Sequence, residues 1–365
     1  MNIDTAFRRE PPQAPAWKRA LASGNANREM RPVLTTGLTI FALVIFLSPF
    51  LYMVFTALKS PDQLVAQGSP IFPATAGTYT YQGQALDVYQ VPMPDGTMRS
   101  LALLKPGRQE STFIDPTNPD APPIVWQGAW RTNQRLWVWS PIWTNFEKVW
   151  NDINFPRTLG NTLMYAIVTE IGVLISCVLV AYGFARFKFP FRNLLFVLLI
   201  STIFLPSVVT LIPTYTFFVK IGWVGTWLPL LVPAFFANAY DVFLLRQYFM
   251  TIPRELDEAA MVDGAGPLRI LWSVILPQSL PVLVAITVFH IVWAWNDYFL
   301  PMIYLSNKPE LQPISVALAS FNGLYATNPT LIQAGSLMAM VAPLLLFVIA
   351  QRFFVQGVVI TGVEK

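Results

Sequence analysis

The sequence is poor in the side chains that carry chemistry in soluble enzymes. Its 365 residues include one cysteine, Cys177, one histidine, His290, and only 12% charged residues. A single cysteine excludes an intrachain disulfide and with it a disulfide-stapled secreted fold. The sequence has no Gly-x-x-x-x-Gly-Lys-Ser/Thr phosphate loop, no cluster of metal ligands and no nucleophile beside a base. We therefore expect no catalytic residue, no metal site and no cofactor bound by this chain.

Apolar side chains dominate what is present. Hydrophobic residues make up 54% of the chain, and the charged share is about half that of an average soluble domain. The net charge is +4, but the basic residues are scattered among apolar runs rather than gathered in one stripe. This pattern argues against nucleic-acid binding and predicts an integral membrane protein.

Six apolar runs are long enough to cross a bilayer. A hydrocarbon core of ~30 Å needs about 20 apolar residues in a helix. The runs cover residues 33–58, 159–184, 193–218, 227–245, 280–303 and 331–354. They predict an all-α polytopic protein with six transmembrane helices, and prolines in the third and fourth runs predict kinks there. The polar residues 1–32 lack the layout of a cleavable signal peptide, so the first run is predicted to be an uncleaved anchor.

Lysine and arginine counts predict the orientation. Positive charge is retained on the cytoplasmic side of short connections. With the N-terminus inside, the inner segments hold fourteen Lys and Arg residues, and the two short outer loops hold only Lys220 and Lys308. The tails 1–32 and 356–365 are therefore predicted to be cytoplasmic, and the core formed by the second to sixth spans comprises residues 159–355. The segment 59–158 is too long for the charge rule and is placed outside by its neighbours.

This outer segment, called the insert below, has a different composition from the spans. Short β-branched and aromatic stretches at 79–91 and 97–104 flank Pro94-Asp95-Gly96, which predicts a hairpin within a small β-rich extracytoplasmic unit. Five tryptophans follow before the second span. They are Trp126, Trp130, Trp137, Trp139 and Trp143. Two interpretations stay open for them, a small core with an interfacial belt and a docking surface for an extracytoplasmic partner.

The inner loop at about 246–279 is the most informative stretch. Pro253 and the following acidic residues are typical of a helix start, and Gly264, Gly266 and Pro267 predict its end. Leu268, Leu271, Trp272 and Ile275 are then spaced as one apolar face of a second helix. The loop is thus predicted to form a helix, a break and a helix at the inner membrane surface.

The amino-acid sequence of this loop resembles the Glu-Ala-Ala signature of binding-protein-dependent ABC importer permeases. The matching residues are Glu258, Ala259, Ala260, Asp263, Gly264, Ala265, Leu276 and Pro277. Val274 stands where that signature usually has isoleucine, which keeps the shape. Segments 243–249, 295–297 and 351–357 are similar to the carbohydrate-uptake branch of maltose-transporter type. The resemblance covers the first span and about residue 145 to the end, and it does not cover residues 73–141.

The resemblance implies a multi-pass subunit of the bacterial cytoplasmic (inner) membrane that imports a sugar or oligosaccharide. Its implied partners are a second homologous permease subunit, two ATPase subunits carrying ATP and Mg, and an extracytoplasmic solute-binding protein. The loop residues that match the signature would contact an ATPase subunit. Because Ala259 and Ala260 permit close approach and Glu258 offers a charge, they suit such a contact.

Polar side chains inside the predicted spans are candidates for the substrate pathway, since such residues are costly unless they face a partner or water. They are Asn238, Asp241, Trp293, Asn296 and Asp297. A structural alternative stays open for the two aspartates, which lie near span ends where they can reach the interface. Glu170 and His290 both lie near mid-bilayer and support an alternative function, a proton-coupled secondary transporter. That alternative predicts internal repeats, and none is visible.

Overall fold

The computed structural model describes residues 25–323 and 327–360. Most of the predicted tail 1–32 and the end of the predicted tail 356–365 lie outside the described residues. The chain separates into two units, Met1–Phe55 and Thr56–Lys365. Within the first unit runs most of helix α1 (Asn25–Ala57), whose segment Thr35–Ala57 is long and apolar enough to cross a membrane.

The insert folds as a β-rich unit, as its composition predicts. It opens with α2 (Pro61–Val65), where the Ser60 hydroxyl accepts a hydrogen bond from the Gln63 amide. Its strands are β1 (Ala74–Ala76), β2 (Thr78–Tyr81), β3 (Gln84–Pro92), β4 (Met98–Lys105), β5 (Glu110–Ile114), β6 (Ile124–Gln127), β7 (Gln134–Arg135) and β8 (Trp137–Trp139). They form an antiparallel sheet in the order β2-β3-β4-β5-β6, with β7 also paired to β3, and a separate β1–β8 pair.

The predicted hairpin at Pro94-Asp95-Gly96 is confirmed between β3 and β4. Gly96 has a φ of +80°, a conformation that glycine adopts without steric cost. The Asp95 carboxylate accepts hydrogen bonds from the amide and hydroxyl of Thr97, at 2.9 and 2.6 Å, which also lowers the pKa of Asp95. A short polar side chain that binds its own turn is the reason Asp favours this position.

The tryptophans of the insert divide between its core and its surface. Trp126 packs edge-on against Phe113, and Trp130 packs edge-on against Tyr89, so that both half-buried indoles cover the buried cluster of the sheet. Trp139 and Trp143 are 58% and 66% exposed. The core interpretation therefore fits Trp126 and Trp130. The interpretation as a docking surface stays open for Trp139 and Trp143.

The remaining chain is helical. Its α-helices are α3 (Thr144–Asp152), α4 (Phe155–Arg186), α5 (Arg192–Ser201), α6 (Ser207–Lys220), α7 (Leu228–Leu231), α8 (Ala239–Thr251), α9 (Arg254–Val262), α10 (Pro267–Ile270), α11 (Leu276–Gln278), α12 (Leu280–Asn296), α13 (Phe299–Tyr304), α14 (Ile314–Ala319) and α15 (Pro329–Ile360). Short 3₁₀ segments cover Trp130–Thr132, Thr202–Phe204, Val232–Phe235 and Pro309–Leu311, and a π segment covers Leu271–Ile275.

Helix α4 is the centre of the second unit. It packs against α8 and α12, and its C-terminal half contributes to a buried cluster that includes Cys177, Ala181, Leu245, Phe249 and Ile275. Gly172 allows a close approach here, because a Cβ atom at that position would lie 2.9 Å from the Phe235 ring. Burying each large apolar side chain in such a cluster contributes about 1.5–3 kcal/mol in water, and less where the alternative is lipid.

The third predicted span is broken rather than kinked. The helical segments Arg192–Phe204 and Ser207–Lys220 meet at 97°. Pro206 has no amide hydrogen to continue the helix, and Leu205 before it is extended, with ψ of 115°. The prediction of one kinked helix over 193–218 is therefore wrong at its middle.

The fourth and fifth predicted spans are also interrupted. Helix α7 and the 3₁₀ turn end at Phe235, and Asn238 begins α8, which continues to Thr251 beyond the predicted end at 245. The run 280–303 divides into α12 and α13 at Asp297. Among the described residues, four helices are long and apolar enough to span a membrane, and six if each of two bent pairs counts as one span.

Candidate coupling loop and membrane cavity

Helix α9 carries the Glu-Ala-Ala residues on a largely exposed surface. Glu258 and Ala259 are exposed, whereas Ala260 is half-buried and packs against the cluster around α4. The helix ends in two backbone hydrogen bonds, from Gly264 to Met261 at 3.0 Å and from Ala265 to Ala260 at 2.9 Å. This is the Schellman arrangement, which needs a left-handed residue. Gly264 supplies it with a φ of +79°, whereas Gly266 has an ordinary φ of −76°.

The second part of the loop differs from the predicted single apolar face. Leu271 and Ile275 are buried, but Leu268 and Trp272 are 71% and 77% exposed. Leu271 and Ile275 therefore form the row that packs in the cluster around α4, and Leu268 and Trp272 form a neighbouring exposed row. The segment Leu271–Ile275 is a π-helix, a form that is rare and often occurs at functional sites.

A buried ion pair attaches the loop to the end of α4. Arg186 Nε lies 2.8 Å from Asp257 Oδ2, and the two side chains are only 7% and 9% exposed. Arg186 also donates a hydrogen bond to the carbonyl of Ile252 at 3.0 Å, and the Tyr182 hydroxyl donates one to the carbonyl of Pro267 at 3.1 Å. Ile252 precedes α9 and Pro267 follows it, so these contacts and the ion pair anchor α9 to the end of α4.

The charge state of Asp257 depends on its partner. Burial raises the pKa of Asp257, and the nearby guanidinium groups of Arg186 and Arg254 oppose that rise. Burial penalises an unpaired carboxylate strongly, so the pair persists only because each charge compensates the other. Arg186 is one of the fourteen basic residues that predict the orientation. No local spacing relates it to Asp257, so the pair is not predictable from the sequence.

Exposed apolar side chains surround Glu258 on the loop. Leu256, Met261, Val262, Leu268 and Trp272 are between 40% and 88% exposed. An apolar surface interrupted by a charge, in a segment outside the apolar spans, is typical of a protein contact.

A cavity of about 520 Å³ lies between α4, α8 and α12 and collects three of the predicted pathway residues. Asn238, Asp241 and Trp293 line it, together with Thr169 and His290. The Asn238 amide donates a hydrogen bond to Asp241 Oδ2 at 2.6 Å, and Asn238 Oδ1 accepts one from the Asp241 amide at 2.9 Å. Asn238 is thus the N-cap of α8, where its side chain has a structural role as well as facing the cavity.

His290 and Trp293 form the opposite wall of this cavity. Their rings are 5.7 Å apart, and His290 Nε2 lies 3.0 Å from the Thr169 hydroxyl. An aromatic face beside hydroxyl, amide and carboxylate groups is a usual composition for a small-molecule site.

Asn296 and Asp297 lie outside the cavity, in an adjacent open groove that also includes Trp293. Asn296 caps its own helix by donating to the carbonyl of Val292 at 2.8 Å. Asp297 follows the end of α12 and accepts a hydrogen bond from the Tyr165 hydroxyl at 2.8 Å. Because α12 ends at Asn296, Asp297 does not continue the helical face that His290 and Trp293 share.

Glu170 and His290 do not form the pair that a proton-coupled carrier would use. Glu170 is 5% exposed, and its carboxylate makes no ion pair with His290 within the described part of the chain. Thr287 is near enough to interact with Glu170, whereas the His290 ring contacts Thr169. The two groups therefore have separate environments.

The comparisons with known proteins match this architecture. The model of the family described as binding-protein-dependent transport system inner membrane component matches residues 172–359, just over half of the chain. A probable ABC transporter permease protein of Pyrococcus horikoshii is 31% identical over 63% of this chain and 85% of its own length.

Two further relatives have more specific names. An osmoprotective compounds uptake permease protein of Synechocystis is 33% identical over 60% of this chain and 74% of its own. An sn-glycerol-3-phosphate transport system permease protein of Pectobacterium atrosepticum is 34% identical over 60% of this chain and 80% of its own.

A solved structure shows the same fold. A chain of a bacterial ABC transporter involved in the import of the acidic polysaccharide alginate superposes with a TM-score of 0.62 at 20% identity, covering 90% of this chain and 98% of that one. The chain therefore belongs to the family of binding-protein-dependent transport system inner membrane components, the membrane permease subunits of ABC importers.

Proposed function

We propose that this permease subunit forms half of the translocation pathway for a sugar or oligosaccharide, and that the loop around Glu258 couples it to an ATPase subunit. In this proposal the chain crosses the membrane six times, with both termini cytoplasmic and the insert outside. The charge count of the short connections supports this orientation.

The observation that carries the coupling role is the way α9 is held. Its exposed surface presents Glu258 among exposed apolar side chains, while the neighbouring Asp257 faces the protein and is buried against Arg186. A helix that is exposed toward a partner and fixed to a spanning helix transmits displacement between them. The same loop contains the other residues that match the signature, which are Ala259, Ala260, Asp263, Gly264, Ala265, Leu276 and Pro277.

The cavity supports the substrate role. The indole of Trp293 gives an apolar face for a sugar ring, and the polar groups of Asn238 and Asp241 line the opposite wall of the same cavity. Asn296 and Asp297 extend the polar surface into the adjacent groove. The relative named for sn-glycerol-3-phosphate transport supports a hydroxylated substrate.

The remaining surface supports an assembly. Apolar side chains of α5 and α6 such as Val197, Val208 and Ile212 are 62%, 75% and 74% exposed. A second homologous permease subunit together with lipid would cover them. Two ATPase subunits would hold ATP and Mg, and a solute-binding protein would deliver the substrate outside.

The test is a charge reversal on the exposed surface of α9. Glu258→Lys should weaken co-purification of the ATPase subunits, because losing a charge-assisted contact and adding repulsion costs about 2–5 kcal/mol of association. Glu255→Lys, on the first turn of the same helix, is the matched control. The measurements are subunit recovery and substrate-stimulated ATP hydrolysis in reconstituted membranes. Normal assembly and normal stimulation in Glu258→Lys would contradict the coupling role.

A further inference from the structure

We propose that the insert contains a second saccharide site, outside the membrane pathway, for a sugar that bears a carboxylate. A cavity of about 520 Å³ lies between the segment after α2 and residues 130–137. Its walls include Tyr89, Trp130, Arg131, Asn133, Arg135 and Trp137. The site does not depend on the permease function, because binding there requires no transport.

The aromatic side chains of this cavity differ in whether another ring of the protein packs against them. Tyr89 and Trp130 already contact each other, with ring centroids 5.6 Å apart and planes at 75°. Trp137 is half-buried, and within the described part of the chain no ring or cation stacks on its indole. Large aromatic faces bury apolar ligand surface, and the C–H face of a pyranose is such a surface. Trp137 is therefore the platform for the sugar ring.

The charged side chains favour an anionic ligand. Arg135 pairs with Asp87, so that guanidinium is largely compensated. Arg131 is exposed, lies 5.3 Å above the Trp130 ring and has no carboxylate partner within the described residues. The guanidinium fork matches the two oxygens of a carboxylate. The cavity thus has an aromatic platform at Trp137 and one uncompensated cation at Arg131.

Unsatisfied donors point the same way. Asn133 is 9% exposed, and its side-chain nitrogen has no hydrogen-bond partner within the described residues. Arg135 Nε is also buried without one. Both residues line the cavity. Because buried polar groups are nearly always hydrogen-bonded, each nitrogen favours an acceptor that a small side-chain movement would bring within reach. Sugar hydroxyl and carboxylate oxygens are acceptors of this kind.

Equilibrium binding of radiolabelled glucuronate to the assembled transporter in lipid nanodiscs tests this site, with glucose as the neutral comparison. We expect saturable glucuronate binding that Arg131→Gln and Trp137→Ala each weaken by about tenfold, since each removes one of two main contacts. Arg108→Gln is the matched control, because Arg108 is also exposed in the insert but does not line the cavity.

Trp293→Ala separates this site from the membrane cavity, since it changes only the latter. Glucuronate binding that survives Trp293→Ala and falls in Arg131→Gln supports the proposal, whatever the transported substrate is. Binding that is absent, or that Trp293→Ala removes while Arg131→Gln does not, overturns it. Equal affinity for glucose and glucuronate would also overturn it, because the uncompensated guanidinium would then have no ligand.

Discussion

Arg186 at the end of α4 and Asp257 in α9 form an ion pair of 2.8 Å that is more than nine-tenths buried. The N-terminal half of α4 lines the membrane cavity through Tyr165 and Thr169. One continuous helix of 32 residues therefore links the cavity to the contacts with α9. In the proposed coupling, a displacement of α9 would pass through this ion pair and along α4 to the cavity.

Breaking this pair should uncouple the loop. Arg186→Ala leaves a buried carboxylate without compensation, a change that costs about 3–5 kcal/mol in comparable sites. We expect a lower thermal midpoint of the purified complex and loss of substrate-stimulated ATP hydrolysis. The double variant Arg186→Asp/Asp257→Arg restores opposite charges and should recover part of both. If the double variant is no better than the single one, the contribution is not electrostatic.

Glycine should matter at one of the two loop positions and not at the other. Gly264→Ala forces a side chain into a left-handed conformation, at a cost of about 1–2 kcal/mol. A Cβ atom there meets nothing within 4 Å, so the strain is confined to the backbone. We expect weaker coupling of ATP hydrolysis to transport. Gly266→Ala is the control, since its φ of −76° suits any residue. Equal effects at both positions would contradict the conformational explanation, because an added Cβ atom has open space at both.

Truncation of Trp293 should impair transport, because this side chain lines both the membrane cavity and the adjacent groove. We expect Trp293→Ala to lower the rate of uptake at limiting substrate by about tenfold or more, as loss of a central aromatic contact commonly does. Leu280→Ala on the same helix is the control, being 51% exposed and lining neither. Uptake and membrane insertion are measured together, so that a folding defect is recognised. Unchanged uptake in Trp293→Ala would remove Trp293 from the pathway.

Labelling with an impermeant thiol reagent should report the orientation. In a Cys177→Ala background, cysteines at Ser23 and Thr361 should be protected in intact cells, and one at Asp120 should react. Asp120 is exposed in the insert. Gly107 is unsuitable, because a Cβ atom there would lie 1.7 Å from the Glu110 carbonyl oxygen. Labelling at Ser23 would reverse the topology and place the Glu258 loop outside.

The sequence predicts elements whose signal is local and uniform. Helix α4 begins within four residues of the predicted start because its apolar run is unbroken. The hairpin at Asp95 is predictable because its turn chemistry is contained in three residues. Both depend on interactions between residues close in the chain.

Breaks in the spans and the pairing of distant side chains are not predictable in this way. Proline in a membrane helix permits either a kink or a full break, and the surrounding helices decide which occurs. Pro206 gives a break of 97°, whereas Pro343 lies inside the continuous α15. The Arg186–Asp257 pair needs the two helix ends to meet, which only the folded arrangement provides.

Because of the π segment Leu271–Ile275, the number of residues in the loop matters as much as their identity. A π turn contains one residue more than an α turn, and each residue of a helix corresponds to about 100° of rotation. Deleting one residue from this segment would turn α10 by that angle relative to α12 and move Leu268 away from the surface it now shares with Trp272. The loop should therefore tolerate conservative substitutions more readily than the deletion of a single residue. The number of residues in this segment constrains the loop independently of which residues they are.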